Sequence, residues 1–224
     1  ECNATFMSVG ISDVLNMWLG ESERNLAVLF EEARANKPCV MFFDELDALA
    51  YSRSKSNSSS ARTVVNEFLA QLDGFEHDNA EVLILAATNM PWDVDPAMKR
   101  PGRFSRQVFV PPPDAEARRK MLEMKLEEVP VEDVNFDAIA SATSHYSGAD
   151  IDGLIDNAKD NALADILDTG NERPLRQADF VEALDITTPS TMDWLKTARN
   201  LVKYGGADSS YKEVKRYLKS IKLN

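Results

Sequence analysis

Two adjacent carboxylates at the end of an apolar run are the residues whose type and position most directly suggest chemistry. Val, Met and two Phe occupy positions 40–43, and Asp44 and Glu45 follow at once. The run predicts a buried strand, and ligands bind at the carboxyl ends of strands in open α/β sheets. A magnesium nucleotide would offset the cost of burying two acids, with Asp44 holding Mg²⁺ through water and Glu45 polarising the attacking water. The alternative is a strand that runs into a solvated acidic loop.

A polar amide follows another apolar run in the same way. Residues 82–87 form this run, which predicts a second buried strand, and Thr88 and Asn89 come directly after it. The carboxyl ends of parallel strands meet at one edge of a sheet, so Asn89 is a candidate to hydrogen-bond the attacking water or the γ-phosphate. Asn is also a common turn residue, and an ordinary turn is the alternative.

Residues 99–106 hold one lysine and three arginines within an otherwise acidic region. A proline and a glycine between Arg100 and Arg103 predict a tight turn that projects both side chains. Arginine suits a phosphoryl-transfer transition state, because its charge is permanent and its donors form a planar fork. The alternative is a surface turn whose cations pair with nearby acids.

The elements that would position these residues alternate between strands and helices over the first 110 residues. Strand-like runs cover 5–9, 40–43, 82–87 and 107–110, and helical periods cover 22–37 and 65–72. This alternation predicts an α/β domain, with a parallel sheet and helices on both faces.

Three prolines at residues 111–113 mark a boundary, after which strand signals cease. The later segments that favour helix are 115–127, 136–143, 149–167, 177–185, 192–204 and 209–222. We therefore predict an α/β body over residues 1–112, a small all-α lid over 113–188 and C-terminal helices over 189–224.

The net charge of −12 over 224 residues is unevenly distributed. Residues 194–224 carry eight basic and two acidic side chains, which leaves −18 on the rest of the chain. A region with this much negative charge is unsuited to binding nucleic acid, because it cannot neutralise the phosphates. The basic C-terminal segment is typical of a solvated helix face, and the alternative is a surface that contacts an acidic partner. No apolar run approaches the ~20 residues of a membrane span. Two cysteines favour a reducing compartment, and we expect the cytoplasm.

Taken together, these segments resemble the AAA ATPases, hexameric protein-remodelling motors of the AAA+ superfamily. The resemblance covers about residues 1–190. Residues 42–49 look like the Walker B strand and its continuation, and 86–89 look like sensor 1. Residues 95–104 look like the second region of homology. Residues 146–150 look like the start of the helix whose backbone lies against adenine.

The resemblance implies a P-loop NTPase-type fold that uses ATP and Mg²⁺. It implies that Glu45 activates water, that Asp44 holds Mg²⁺ and that Asn89 positions the nucleophile. The phosphate-binding motif GxxxxGK(S/T) is absent from this sequence. In AAA ATPases the phosphate-binding loop lies upstream of the segment that the first residues of this chain resemble. We therefore expect a fragment that binds ATP poorly by itself.

The resemblance also implies assembly. Arg100 and Arg103 would be arginine fingers that reach the neighbouring subunit's nucleotide in a homo-hexamer, and Gly148 and Ala149 would lie against the adenine. Asp73 begins a segment similar to one that signals between subunits. An equal alternative is that Asp73 simply ends a helix.

Residues 17–24 resemble the family's first pore loop and the helix after it. By this match Met17, Trp18 and Leu19 line a central pore and grip a translocating polypeptide. Met17 replaces the usual basic residue, and Trp18 could instead pack under the loop. The segment from residue 189 onward resembles the end helix of the subgroup with ESCRT-disassembling and microtubule-severing ATPases.

The resemblance therefore predicts a ring-forming, ATP-hydrolysing motor. It would unfold, extract or disassemble proteins by threading them through a pore, with an adaptor as a further partner. The alternative is a catalytically inactive, AAA-like scaffold.

Overall fold

The chain divides into two compact units, Glu1–Gln107 and Val108–Asn224. A computed structural model describes residues 3–10, 14, 21–49, 59–73, 78–204 and 211–223. The three-part division predicted from the sequence, with boundaries at residues 112 and 188, stays a prediction.

The first unit is built on a three-stranded parallel sheet. Its strands are β1 (Thr5–Gly10), β2 (Cys39–Asp44) and β3 (Val82–Ala86), in the order β1-β2-β3. Phe43 is the register partner of Val9 on one side and of Ala86 on the other. The run that ends in two carboxylates is therefore the central strand, and the predicted α/β class with a parallel sheet is confirmed.

Two helices of the first unit pack against one face of this sheet. They are α1 (Glu21–Ala35) and α2 (Ser59–Asp73). The rings of Phe30 in α1, Phe43 in β2 and Phe68 in α2 form a buried triad with centroid separations of 5.0–6.1 Å. Helical spacing puts the apolar residues of each helix on one side, so that both helices bury them against alternate residues of the strands.

The opposite face of the sheet is partly exposed. Phe6 is 65% exposed, Leu83 55% and Leu85 43%. The prediction of a strand near residues 82–87 is correct, but the prediction that this strand is buried is wrong. Successive side chains of a strand point to opposite faces, and only the face with Val82, Ile84 and Ala86 reaches the core.

The second unit is helical. Its helices are α3 (Ala115–Lys125), α4 (Phe136–Ala142), α5 (Gly148–Thr169), α6 (Gln177–Ile186), α7 (Thr191–Tyr204) and α8 (Lys212–Ser220). All six follow the predicted segments closely, and a helical part after the sheet is confirmed. Two short strands, β4 (Val131–Glu132) and β5 (Leu175–Arg176), pair in parallel, and the sequence did not reveal them. Among the helices that the structure describes, none combines the length and the hydropathy of a membrane span.

The strand predicted at residues 107–110 does not form. The backbone N–H of Phe109 donates to the Glu213 carboxylate at 3.1 Å, where a strand would bond to a neighbouring backbone. The Phe109 ring lies 5.8 Å from Trp194 and 5.5 Å from Tyr217. The segment has the residue alternation of a strand, but Phe109 uses its backbone N–H and its ring to contact helices α7 and α8.

Candidate functional site

The two carboxylates lie where the sequence predicted them, at the carboxyl end of the central strand. Asp44 is the last residue of β2, and Glu45 follows it; both are exposed. The Asp44 carboxylate accepts a 2.8 Å hydrogen bond from the backbone N–H of Glu45. Neither acid forms an ion pair with any residue in the described ranges. The pair is thus open to a cation or to a water molecule.

Glu45 has an unusual backbone. Its φ is 57°, in the left-handed region, and its carbonyl accepts a 2.8 Å hydrogen bond from Ala48. This conformation costs about 1 kcal/mol for a residue with a side chain. Such outliers cluster at functional sites, where the surrounding structure holds them. The turn changes the direction of the backbone immediately after β2, and it leaves the Glu45 side chain at the edge of the sheet.

Backbone hydrogen bonds bring the end of β3 to the same edge. The N–H of Ala87 donates to Phe43 at 2.8 Å, and the N–H of Leu46 donates to the Ala87 carbonyl at 3.0 Å. Asn89 follows two residues later and is exposed. The structure therefore brings Asn89 to the edge that carries Asp44 and Glu45, as expected.

A side-chain contact joins the two loops beyond these strands. The Thr88 hydroxyl donates to Asp47 Oδ1 at 2.6 Å and accepts from the N–H of Met90 at 3.0 Å. This contact is not evident from the sequence, in which its partners lie 41 residues apart. The only available signal was that both residues adjoin the predicted site.

The donor set at this edge fits Mg²⁺ better than a transition metal. No group of three or more His, Cys, Asp or Glu side chains suited to a metal occurs within the described residues. Mg²⁺ commonly uses one or two carboxylates and completes its shell with water and nucleotide phosphates. Asp44 could contribute to such a shell in the presence of a nucleotide.

The arginine turn begins at a short 3₁₀ helix, Pro96–Lys99. Asp95 caps this helix and accepts from the Ala97 N–H at 2.8 Å. The turn that follows has its glycine, Gly102, at φ 91°, a conformation that few other residues adopt readily. Arg100 is exposed and forms no ion pair with a residue that the structure describes. Its guanidinium is therefore presented to solvent, as predicted.

Arg103 is held within its own unit. Its Nε and Nη2 donate to the two oxygens of Asp73 at 2.6 and 2.5 Å, and its Nη1 donates to the Ala97 carbonyl at 2.7 Å. Only 15% of the Arg103 side chain is exposed. The hydrogen bond from Arg103 holds the pKa of Asp73 below its ordinary value, and Asp73 raises the pKa of Arg103. The projection of Arg103 into solvent was predicted wrongly, because its partner lies 30 residues away.

We expect Asp73→Asn to lower the free energy of unfolding by about 1 kcal/mol at neutral pH, since the neutral amide abolishes the ion pair with Arg103 and keeps only one acceptor oxygen. The lowered pKa sets the pH dependence. The stabilisation is complete above the ordinary value of about 4 and disappears as pH falls through the lower folded-state pKa. Urea unfolding of both proteins between pH 7 and pH 3 should show the difference shrinking on acidification.

The matched control is Asp93→Asn, which changes an exposed carboxylate of the same unit without an ion pair to any described residue. It should leave the stability of the protein nearly unchanged. A destabilisation by Asp73→Asn that is equal at pH 7 and pH 3 would contradict the ion-pair interpretation.

Gly148 and Ala149 lie in the second unit, at the first turn of α5. Ser147 and Asp150 cap this turn reciprocally, each side chain accepting from the other's backbone N–H. A methyl group added at Gly148 would lie 3.1 Å from the terminal carbon of Met121. Their contact with adenine stays a prediction.

The same turn is tied to the start of α7. Asp150 also accepts from the backbone N–H and the hydroxyl of Ser190, at 3.1 and 3.0 Å. Burial raises the pKa of Asp150, but the hydrogen bonds from Ser147 and Ser190 outweigh it and hold the pKa below its ordinary value. The turn is evident from the sequence, but this link is not, because its partners lie 40 residues apart.

The proposed pore-loop residues Met17, Trp18 and Leu19 lie outside the described residues. Their role stays a prediction from the resemblance.

The first unit has two carboxylates and an amide at the carboxyl edge of a parallel sheet, and a helical unit follows it. This architecture defines the class of α/β nucleotide-binding domains with a helical lid. Residues 1–112 match the ATPase family associated with various cellular activities (AAA), and residues 133–177 match the AAA+ lid domain. The chain belongs to the AAA ATPase family.

Several curated proteins are similar to this chain. The Cell division cycle protein 48 homolog of Archaeoglobus fulgidus is 38% identical over 201 residues, which are 89% of this chain and 27% of that protein. Vacuolar protein sorting-associated protein 4A of Homo sapiens is 42% identical over 155 residues, 68% of this chain and 35% of that protein. Meiotic spindle formation protein mei-1 of Caenorhabditis elegans is 36% identical over 207 residues, 85% of this chain and 43% of that protein. The chain thus spans less than half the length of these relatives.

Proposed function

We propose that this chain is part of an ATP-driven, ring-forming motor that remodels protein substrates. Membership of the AAA ATPase family supports this proposal. The observation that carries it is the convergence of Asp44, Glu45 and Asn89 on one edge of the parallel sheet. A carboxylate that holds a cation, a carboxylate base and an amide are among the side chains that promote water attack on a γ-phosphate.

Each residue of the edge has a distinct role in this proposal. Glu45 accepts the proton of the attacking water, and its αL backbone fixes the direction from which it does so. Asn89 orients the same water, and Asp44 binds Mg²⁺ through water. When bound, Mg²⁺ neutralises charge that develops on the phosphate oxygens.

The arginine turn would complete the site of a neighbouring subunit. Arg100 is exposed and positively charged, and so it can reach beyond its own chain. Arg103 must exchange Asp73 for a phosphate before it can act in the same way. This arrangement supports shared sites, so that hydrolysis depends on assembly, as a hexamer or another ring.

The mechanical step is assigned to the first pore loop. Trp18, flanked by Met17 and Leu19, would insert between substrate side chains with little sequence preference. The substrate is a polypeptide, and an adaptor protein selects it.

The test is the ATPase rate per subunit of the full-length protein, measured over several decades of protein concentration. We expect the specific rate to rise with concentration, because each site needs an arginine from a second subunit. A flat rate would contradict shared sites. No hydrolysis at any concentration, with the protein folded, would favour the scaffold function instead.

A mixing experiment provides the matched control. Glu45→Gln and Arg100→Ala subunits should each be inactive alone. In an equal mixture, some sites combine an intact Glu45 from one subunit with an intact Arg100 from the other. Recovery of activity on mixing supports a site between subunits, and continued inactivity contradicts it.

A further inference from the structure

The Thr88 hydroxyl connects the two loops that carry the proposed catalytic residues. It donates to Asp47 Oδ1 at 2.6 Å and accepts from the Met90 N–H at 3.0 Å. The accepted bond closes a turn around Asn89. The donated bond reaches across to the loop that follows Glu45. One side chain therefore shapes the turn that holds the amide and fastens that turn to the loop after the base.

The Asp47 end of this contact is equally well placed. Asp47 lies two residues after Glu45, at the start of a helical turn that begins with the Ala48 N–H donating to the Glu45 carbonyl at 2.8 Å. The Asp47 carboxylate is half-buried, so its hydrogen bond is less exposed to competing water. A hydroxyl–carboxylate bond of this length is charge-assisted and is among the stronger hydrogen bonds in proteins.

The backbone bonds between the strands end just before this contact. The final ones join Ala87 to Phe43 and Leu46 to Ala87. Glu45 and Asn89 both lie on loops at this edge, and Glu45 is in an uncommon backbone conformation. The separation of two groups on adjoining loops is set by whatever joins those loops.

We propose that Thr88 and Asp47 are positioning residues, which hold Asn89 and Glu45 at the separation needed to orient one water molecule between them. This inference rests on the proposed ATPase function. Neither residue contacts the reacting atoms. Their hydrogen bond acts through the two loops, and a misplacement of about 1 Å at such a site costs about 100-fold in rate.

The test uses Thr88→Val and Thr88→Ser in the full-length protein. Valine keeps the volume of the side chain and loses both hydrogen bonds, whereas serine keeps the hydroxyl. We expect Thr88→Val to lower kcat by about 10-fold to about 100-fold while KM for ATP and the Kd for AMP-PNP stay within about twofold. Thr88→Ser should recover most of the lost kcat.

A double-mutant cycle with Asp47→Ala adds a second measurement. If the two residues act through their mutual bond, Asp47→Ala lowers kcat to a similar extent, and the double variant is no worse than either single variant. If the loss of kcat in the double variant equals the product of the two single losses, the hydrogen bond between Thr88 and Asp47 is not the cause of either loss. Thr197→Val, which removes a hydroxyl from an exposed position of α7, is the control and should leave kcat unchanged.

The remaining outcomes separate this inference from the proposed function. A normal kcat for Thr88→Val in an active protein overturns the positioning role alone. Equal losses of kcat and AMP-PNP affinity, or no recovery by Thr88→Ser, also overturn it, because they indicate a purely structural role. No hydrolysis by the unmodified full-length protein overturns the proposed function itself.

Discussion

Replacing Glu45 with Gln should lower ATP turnover by about 1000-fold and leave nucleotide binding intact. The amide has the shape of the carboxylate but cannot accept the proton of the attacking water. The exposed side chain takes no part in the core, and Gln tolerates the local backbone about as well as Glu. Single-turnover hydrolysis with the full-length protein measures the loss, and size-exclusion chromatography with ATP should show assembled rings that persist.

The control for this prediction is Glu31→Gln, an exposed carboxylate on helix α1 of the same unit. It makes the same chemical change away from the sheet edge and should leave turnover unaltered. Unchanged turnover in Glu45→Gln would show that another group is the base. Loss of nucleotide binding as well would show that Glu45 acts in binding.

The second large effect concerns Arg118, a buried arginine of the second unit that is only 6% exposed. Its guanidinium donates to the Ala140 carbonyl at 2.8 Å, to the Pro113 carbonyl at 2.6 Å and to the Thr143 hydroxyl at 3.2 Å. Burial lowers the pKa of Arg118, although the negative charge of Asp114 opposes the shift. The side chain thus supplies hydrogen-bond donors to the carbonyl end of helix α4 and to the proline segment that precedes α3.

We expect Arg118→Met to lower the free energy of unfolding of the second unit by about 3 kcal/mol. The change removes the guanidinium donors of the Ala140 and Pro113 carbonyls and leaves Ala140 only the longer 3.2 Å bond from the Thr143 hydroxyl. A buried group that loses its donor costs about 1–3 kcal/mol. Urea unfolding measures the loss.

Arg119→Met is the matched control, because it removes the neighbouring arginine, whose side chain is 48% exposed. The ion pairs of Arg119 with Glu123 and Asp137 are solvated and are together worth about 1 kcal/mol or less. Equal destabilisation by the two variants would contradict the assigned role of Arg118.

The sequence predicted most of the elements, because each depends on local patterns. Leu26 and Phe30 in α1, and Val65 and Phe68 in α2, show helical spacing and are buried as that spacing implies. The apolar run before Asp44 predicted the central strand of the sheet. Most of the later helices were placed within two residues of their observed ends. Their caps are local as well, as Ser147 and Asp150 show.

The errors arose where the environment, and not the local pattern, decides the structure. Residues 107–110 have the pattern of a strand, but Phe109 bonds to Glu213, which lies 104 positions later. Leu83 and Leu85 are apolar and were expected to be buried, yet their face of the sheet is partly exposed. A local sequence pattern indicates which secondary structure a segment can form. Whether it forms and is buried depends on the elements that pack beside the segment in the folded chain.

The sequence by itself determined the class of fold, the family resemblance and the edge at which Asp44, Glu45 and Asn89 meet. These conclusions follow because a strand carries its terminal residues to a known edge of a parallel sheet. Only the tertiary structure decided that Arg103 is bound by Asp73 and that Thr88 is bound to Asp47. The residues of these pairs lie 30 and 41 positions apart. Periodicity acts over a few residues, whereas a hydrogen bond between distant residues exists only once the chain has brought both groups within 3 Å.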